Sequence, residues 1–315
     1  MTMDGERLLA DIGGTNARFA LSASGGPPCE ERTLRTADFP TVIEAARTYL
    51  QSREPTSAVF AVNGPVEEDL ITLSNSPWSF SIREVQQALG LQRLVVINDF
   101  VAQALAVPVL AKNERRKLGA GEPVANRTIG VIGPGTGLGV AALLPVSGGW
   151  LPMPSEGGHV SFAPHDEIDA AIVERLARRF DHVSNERMLA GPGLVNVASA
   201  LAELAGETLP PLQPKDVVER ARDATCRFCR ETIDRYPALL GAAAGDLALT
   251  LLARGGVFIA GGVVAHLGEM FEVGRFRRAF VAKGRFQAYL EGVPTYLVMR
   301  GDTGLLGAAA LRLDP

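Results

Sequence analysis

Two loops in this chain carry glycines, a hydroxyl and a carboxylate in an arrangement suited to phosphate chemistry. The first runs from Asp11 to Asn16 between two apolar runs, which predicts a strand, a tight turn and a returning strand. Gly13 and Gly14 allow the backbone to approach a ligand closely, because glycine has no Cβ. With the carboxylate of Asp11 and the hydroxyl of Thr15 beside it, this loop suits a phosphate and its Mg²⁺. An ordinary hairpin turn fits the pattern equally well.

The second loop, Gly133 to Gly139, also lies between two apolar runs. It is neither a P-loop, which needs G-x-x-x-x-G-K-[ST], nor a dinucleotide fingerprint, which opens a helix. Its backbone N–H groups can still form an anion-binding nest, to which Thr136 would add a hydroxyl donor. Two apolar hairpins with Gly-Thr at the turn indicate a duplicated architecture. We therefore favour a phosphate loop here over a plain glycine-rich hairpin.

Asn98 and Asp99 follow a predicted buried strand at residues 94–97, where a helix begins behind them. Ligands in open α/β sheets bind at the carboxyl ends of strands. Asn and Asp are also favoured N-caps, and a cap accounts for one of the two side chains. The other can point towards a substrate. We predict Asp99 as a general base on a hydroxyl, with Asn98 fixing the substrate beside it.

Glu156 and His159 bracket two glycines, so both side chains could reach one small polar ligand. Another functional interpretation is a metal site with His159 as a ligand. The structural alternative is a surface glutamate and a packed histidine. Glu186 follows a candidate N-cap at Ser184 or Asn185, which is also typical of a carboxylate in a first helical turn.

Composition restricts the class of protein. The chain has 315 residues, enough for two domains, and it is 47% hydrophobic and 21% charged. Its net charge of −4 gives no bulk attraction to nucleic acid or to an anionic membrane. No signal peptide is evident, and the apolar segment 238–264 is interrupted by charges and glycines. We predict a buried helix and a buried strand there, and a cytoplasmic protein with no membrane or nucleic-acid partner.

The three cysteines are too few for a disulfide framework, which favours a reduced compartment. Cys226 and Cys229 form a C-x-x-C that could be redox-active or half of a zinc site. Their charged, helical surroundings support neither interpretation.

Strand-like and helical runs alternate along the chain, which indicates an α/β fold. The polar, glycine-rich segment 112–123 is the best candidate for a domain boundary. Helices are predicted over the following ranges: 39–51, 81–89, 100–106, 167–180, 193–204, 214–236 and 238–252.

The chain resembles the bacterial glucokinase family of the hexokinase–actin–chaperone ATPase superfamily, and the resemblance runs nearly end to end. The segments that carry it are DIGGTNARFAL (11–21), SNSPWSFS (74–81), INDFVAQALAVP (97–108), GPGTGLGVA (133–141), EGGHVSFAP (156–164), ERMLAGPGLVNV (186–197), FIAGGVV (258–264) and GLLGAAALR (304–312). The sequence departs from the expected pattern at Pro134, at Ser161 and in the run 301–303.

The resemblance implies a two-domain actin-like ATPase (ribonuclease H-like) fold with a cleft between a small domain (1–110 plus 300–315) and a large domain (111–299). It also implies ATP- and Mg²⁺-dependent phosphorylation of the 6-hydroxyl of glucose, the entry to glycolysis, by a cytoplasmic enzyme that we expect to be a homodimer. The residues that match the family's functional positions are Asp99 as catalytic base; Asn98, Asp99, Glu156, His159 and Glu186 on the sugar; Asp11 (also towards Mg²⁺ through ATP), Gly13, Gly14, Thr15, Asn16, Gly135, Thr136 and Gly137 on the phosphates; and Gly261 and Gly262 near the adenosine.

Three alternatives stay open at this point. One is a kinase for another neutral hexose, such as fructose, mannose or N-acetylmannosamine. Another is a non-catalytic sugar sensor or regulator on the same scaffold, against which we expect too few residues before the first strand for a helix-turn-helix. The third is an actin-like or chaperone-like ATPase, which would leave the Asn-Asp and Glu/His pairs without a role.

Overall fold

The computed structural model describes residues 5–23, 26–64, 66–73 and 78–313. Residues 74–77, the first half of the SNSPWSFS segment, lie outside these ranges. The chain divides into two compact units, which we call unit 1 (residues 1–111 and 300–315) and unit 2 (residues 112–299).

The strands within the described residues are β1 (Glu6–Ile12), β2 (Asn16–Ala23), β3 (Cys29–Arg35), β4 (Ser57–Val62), β5 (Leu70–Thr72), β6 (Ser79–Ser81), β7 (Arg93–Asn98), β8 (Arg115–Lys117), β9 (Ile129–Pro134), β10 (Leu138–Val146), β11 (Gly149–Ser155), β12 (Gly256–Ile259) and β13 (Thr295–Val298).

The α-helices in the same ranges are α1 (Val42–Leu50), α2 (Ile82–Ala88), α3 (Asp99–Ala106), α4 (Glu167–Ala177), α5 (Asn185–Leu189), α6 (Gly191–Leu204), α7 (Pro214–Arg222), α8 (Arg227–Leu251), α9 (Gly262–Leu267), α10 (Val273–Val281), α11 (Gln287–Glu291) and α12 (Thr303–Ala310).

Unit 1 is built on a five-stranded sheet with the order β3-β2-β1-β4-β7. The first three strands are antiparallel neighbours, whereas β1, β4 and β7 run parallel. The register aligns Ile12 with Val62 and Val62 with Asn98, so the carboxyl ends of the three parallel strands lie at one edge. Strand β4, which lies between β1 and β7, is buried at every position, as a parallel strand covered on both faces requires.

Unit 2 repeats this topology in its own sheet, with the order β11-β10-β9-β12-β13 and the short strand β8 added at the end. Here β9, β10 and β11 are antiparallel neighbours, and β9, β12 and β13 run parallel. Each unit therefore begins with the same antiparallel meander, and each meander's first strand pairs with a later parallel strand. The duplicated architecture predicted from the two Gly-Thr hairpins is confirmed at the level of strand order.

Each unit has its own apolar core. In unit 1, Leu8, Phe19 and Phe60 are fully buried on one face of the sheet. The other face packs against α12 through Leu9, Val59 and Leu305. The alternation of Leu8 and Leu9 between the two faces follows from the two-residue period of a strand.

The predicted break between helices at Tyr236 is wrong, because α8 is one helix of 25 residues that includes Pro237. Pro237 removes one backbone donor from the helix but is itself buried among the core residues. The chain breaks earlier, between α7 and α8, where Ala224 has a φ of 55°. There the Sγ of Cys226 caps α8 by accepting from the Cys229 N–H at 3.2 Å, which gives the C-x-x-C a structural role.

The segment 238–264 forms the end of α8 and the buried strand β12, as predicted. Among the described residues, no helix combines the length and the apolar character needed to cross a membrane.

Candidate active site

The loop after β1 in unit 1 is held in a closed turn. The Gly13 N–H donates to the Asn16 carbonyl at 2.9 Å. Thr36 anchors the outside of the turn twice: its hydroxyl donates to the Gly14 carbonyl at 2.9 Å, and its N–H donates to the Thr15 carbonyl at 3.0 Å. Thr15 and Asn16 are exposed at the tip. The turn is therefore fixed from its carbonyl side while its tip faces solvent.

Asp11 lies at the carboxyl end of β1, opposite Arg18 on β2. Its Oδ2 accepts from the Arg18 guanidinium at 3.3 Å, and its side chain is 20% exposed. Burial raises the pKa of Asp11, and Arg18 only partly opposes that shift. The first turn of α12 packs against this carboxylate, since a Cβ on Gly304 would lie 2.7 Å from Asp11 Cγ.

Asn98 and Asp99 lie where β7 passes into α3, as predicted. Asn98 is the N-cap, because its Oδ1 accepts from Phe100 N–H at 2.8 Å and Val101 N–H at 3.3 Å. Its Nδ2 donates to the Gly64 carbonyl at 3.1 Å. The cap therefore uses the amide oxygen of Asn98, and one of its two Nδ2 hydrogens makes no hydrogen bond to the described residues.

The Asp99 carboxylate is held at both oxygens. Oδ1 accepts from the Phe100 N–H at 2.8 Å, and Oδ2 accepts from Asn63 Nδ2 at 3.2 Å. Burial raises the pKa of Asp99, the two hydrogen bonds lower it, and the charge of Asp11 raises it further. Asp99 is consequently a carboxylate with increased basicity, at the same sheet edge as Asp11. Asn63 was not singled out from the sequence, although it follows β4 as Asn98 ends β7.

In unit 2, the glycine loop joins β9 to β10 and lies at the carboxyl end of β9. The Gly135 N–H donates to the Gly137 carbonyl at 2.8 Å, and the Gly191 N–H donates to the Gly135 carbonyl at 2.8 Å. Thr136 is exposed at its tip. Pro134, a departure from the family pattern, is the buried last residue of β9.

Glu186 contacts this loop directly. Ser184 caps α5, so Glu186 lies in the first helical turn, as one alternative stated. Its Oε2 accepts from the Leu138 N–H at 2.9 Å, and a Cβ on Gly137 would lie 2.7 Å from the same oxygen. The carboxylate is thereby placed against the glycine loop and keeps its other oxygen for a ligand.

Glu156 and His159 follow β11 at the same edge of the sheet. Their side chains are 72% and 58% exposed, with His159 Nε2 at 3.8 Å from Glu156 Oε2, so the alternative of a packed histidine is wrong. Gly158, between them, packs closely against the backbone of Leu138 in the glycine loop, since a Cβ there would lie 1.9 Å from the Leu138 carbonyl oxygen. The His159 carbonyl in turn contacts His182 Nε2 at 2.9 Å.

Gly261 and Gly262 follow β12 and open α9. Gly261 has a φ of 82°, and a Cβ there would lie 2.4 Å from the Pro134 carbonyl oxygen. Only glycine fits this close approach. The predicted residues of unit 2 thus share one sheet edge, as Asp11, Asn98 and Asp99 do in unit 1.

The described part of the chain contains no group of three or more His, Cys, Asp or Glu side chains able to hold a metal ion. Magnesium in phosphoryl-transfer sites commonly binds one or two carboxylates together with the substrate's phosphates. The partly accessible carboxylate of Asp11 fits that mode of binding. Among the described residues, there is no set of side chains that could surround the ion without a substrate.

A family model described as "Glucokinase" matches residues 8–314. The chain belongs to the glucokinase family. A glucokinase of Aromatoleum aromaticum is 46% identical over 308 residues, which cover 96% of this chain and 93% of that protein. The family predicted from the sequence motifs is confirmed.

Solved structures share the fold. A glucokinase from an Antarctic psychrotroph superimposes with a TM-score of 0.88 at 37% identity, over 97% of this chain and 98% of that one. A ROK-family glucokinase of Streptomyces griseus, in complex with glucose and AMPPNP, gives a TM-score of 0.61 at 20% identity, over 97% and 98%. The predicted α/β, actin-like ATPase fold class is confirmed.

Proposed function

We propose that this protein transfers the γ-phosphoryl group of ATP to the 6-hydroxyl of glucose, giving glucose 6-phosphate and ADP. Family membership over residues 8–314 supports the reaction class. Asp99 is the observation that carries the proposal at the level of the site: it is a partly buried carboxylate with a raised pKa, fixed at both oxygens.

Asp99 acts as the general base. As the 6-oxygen of glucose attacks the γ-phosphorus, Asp99 accepts the hydroxyl proton. Its buried position increases its basicity, while the Asn63 and Phe100 contacts hold the carboxylate in one orientation. Catalysis of phosphoryl transfer depends mostly on such positioning and on charge stabilisation.

Glu156, His159 and Glu186 bind the sugar hydroxyls, and Asn98 adds its free Nδ2 hydrogen. Carboxylate oxygens accept hydrogen bonds only, so they suit a neutral polyol that donates from every hydroxyl. The same negative charges disfavour anionic substrates such as sugar phosphates. Glu186 joins the sugar ligands to the glycine loop through its bond to the Leu138 N–H.

The glycine loops of the two units bind the phosphates of ATP, with Gly261 and Gly262 near the adenosine. Backbone N–H groups and the hydroxyls of Thr15 and Thr136 donate to phosphate oxygens. Asp11 would hold Mg²⁺ together with ATP, and the bound ion would supply positive charge that neutralises the phosphoryl oxygens. The ATP analogue bound by the Streptomyces griseus protein supports ATP as the phosphoryl donor.

A coupled ADP-release assay with a panel of neutral sugars tests the proposal. Glucose should give the highest kcat/KM, ahead of fructose, mannose and N-acetylmannosamine. Asp99→Asn keeps the side chain's shape but should lower turnover at least ~10²-fold, because an amide cannot accept the proton. Turnover near the wild-type level in Asp99→Asn would remove the base assignment. ATP consumption that is equal with and without sugar would instead favour an ATPase. The absence of turnover with every sugar would favour a sugar sensor.

Mg²⁺ as the metal, a cytoplasmic location and a homodimer remain predictions from the family resemblance. Omission of Mg²⁺ from the same assay, cell fractionation and sedimentation equilibrium test them in turn.

A further inference from the structure

Asn63 is positioned by the sheet beside the proposed base. It directly follows β4, whose last residue, Val62, is aligned with Asn98 on the parallel strand β7. The residue after Asn98 is Asp99, so the side chains that follow the two strands meet at the carboxyl edge. Asn63 Nδ2 donates to Asp99 Oδ2 at 3.2 Å.

The next residue strengthens this arrangement. The Gly64 carbonyl accepts from Asn98 Nδ2 at 3.1 Å, so two consecutive residues after β4 hold two consecutive residues after β7. Gly64 has a φ of 144°, in the range that favours glycine, and this places its carbonyl for the contact. The two bonds connect the segments that follow the neighbouring strands.

We infer that Asn63 is a positioning residue for Asp99, acting through that carboxylate; the inference rests on the proposed role of Asp99 as base. Oδ1 of Asp99 is fixed by the Phe100 N–H, which belongs to the helix that Asp99 begins. Among the described residues, the side chain that donates a hydrogen bond to Oδ2 is Asn63. Without that donor, the carboxylate is free to rotate about its last bond and leave the reactive orientation.

The charge environment makes the donor more important. Asp11 raises the pKa of Asp99 through like-charge repulsion, whereas the Asn63 amide lowers it by bonding to the ionised form. Asn63 therefore does two things at one atom: it fixes the direction of Oδ2 and it favours the ionised carboxylate that can accept a proton. Asn63 itself is exposed, so its removal leaves no cavity.

Two substitutions separate donation from shape. Asn63→Ala removes the side chain, and Asn63→Asp keeps its shape but replaces the donor with a carboxylate, whose negative charge also opposes ionisation of Asp99. Both should lower kcat by about 5- to 50-fold, a smaller loss than that of Asp99→Asn, with the KM for MgATP within about twofold of wild type. Asn113→Ala is the matched control, because Asn113 is an exposed asparagine in unit 2. It should keep wild-type kcat.

The measurements are steady-state kinetics with glucose, thermal unfolding and glucose affinity in the absence of ATP. Wild-type kcat in Asn63→Ala would overturn the inference, since the carboxylate would then keep its reactive orientation without the donor. A kcat loss accompanied by an equal rise in the KM for MgATP would also overturn it, because that pattern indicates a general distortion of the edge.

A second comparison separates this inference from the proposed function. Asp99→Asn is assayed beside the Asn63 variants. If Asp99→Asn keeps its turnover, the base assignment fails. If Asp99→Asn loses turnover while both Asn63 variants keep theirs, the base assignment stands and only the positioning role is refuted. Adding Asn63→Ala to Asp99→Asn should lower the residual turnover no further, because the carboxylate through which Asn63 acts is already gone.

Discussion

Gly158→Ala tests whether the proposed sugar ligands and the glycine loop of unit 2 form one packed structure. The added Cβ would lie 1.9 Å from the Leu138 carbonyl oxygen and 3.0 Å from its carbon. Both are backbone atoms, so no side chain can rotate out of the way. Restoring an ordinary contact requires a displacement of about 1 Å or more, which costs about 1–3 kcal/mol in a well-packed region.

This displacement of the backbone would move the proposed sugar ligands before and after Gly158 in the chain, and also the one bonded to Leu138. Glu156 and His159 flank Gly158, and the N–H of Leu138 is the donor to Glu186. A misplacement of 1 Å can lower turnover by as much as ~10²-fold. We expect Gly158→Ala to lose at least about tenfold in kcat/KM for glucose.

The assay combines thermal unfolding with steady-state kinetics. For a unit of this size, about 1–3 kcal/mol corresponds to a fall in Tm of roughly 2–12 °C. Gly301→Ala is the control, since a Cβ there has no neighbour within 4 Å. It should leave both Tm and kcat/KM unchanged. If Gly158→Ala retains the wild-type Tm and the wild-type KM for glucose, the Gly158–Leu138 contact does not support the sugar ligands.

Two further predictions concern the carboxylates of unit 1. Gly304→Ala would place a Cβ 2.7 Å from Asp11 Cγ and Oδ2, so the carboxylate must move away. We expect the KM for MgATP to rise at least about fivefold, with Tm nearly unchanged. An unaltered KM for MgATP would contradict this prediction. Burial raises the pKa of Asp99 above 3.8, and the proposed base must be ionised to accept a proton. The value of kcat/KM for glucose should therefore be at its maximum above that raised pKa and should fall as the pH drops through it. The residual activity of Asp99→Asn should lack this acidic limb; a limb unchanged by the substitution would assign it to another group.

Hydrophobic patterning was sufficient to find the strands that build the centres of both sheets. Strands β4 and β9 are buried at every position, so each appears as an apolar run between turn signals. Strand β11 was missed because Pro152 and Pro154 normally argue against a strand. It is an edge strand, where a proline nitrogen that faces away from its neighbour removes no ladder bond.

For the candidate site, the sequence indicated which residue types lie at the strand ends, but it did not indicate which hydrogen bonds they make. The rule that ligands lie at carboxyl ends of strands led to Asp99 and Asn98. Applied to β4, the same rule would have identified Asn63, but Asn63-Gly64 also has the composition of an ordinary turn. The cap formed by Asn98 Oδ1 could not be assigned from sequence, because either of two adjacent polar residues could fill that position.

Leu138 shows why spacing alone cannot give the organisation of the site. It is a buried leucine with no side-chain chemistry, and only its backbone joins the functional segments of unit 2. Its N–H fixes Glu186, and its carbonyl oxygen receives the close approach of Gly158. It is the first residue of β10 and lies within the glycine loop, so one residue contacts the proposed sugar ligands and belongs to the proposed phosphate loop. We therefore expect a shift of Glu186 or Gly158 on sugar binding to move Leu138 and the loop with it, and by linkage we expect phosphate binding to change the sugar affinity by an equal factor.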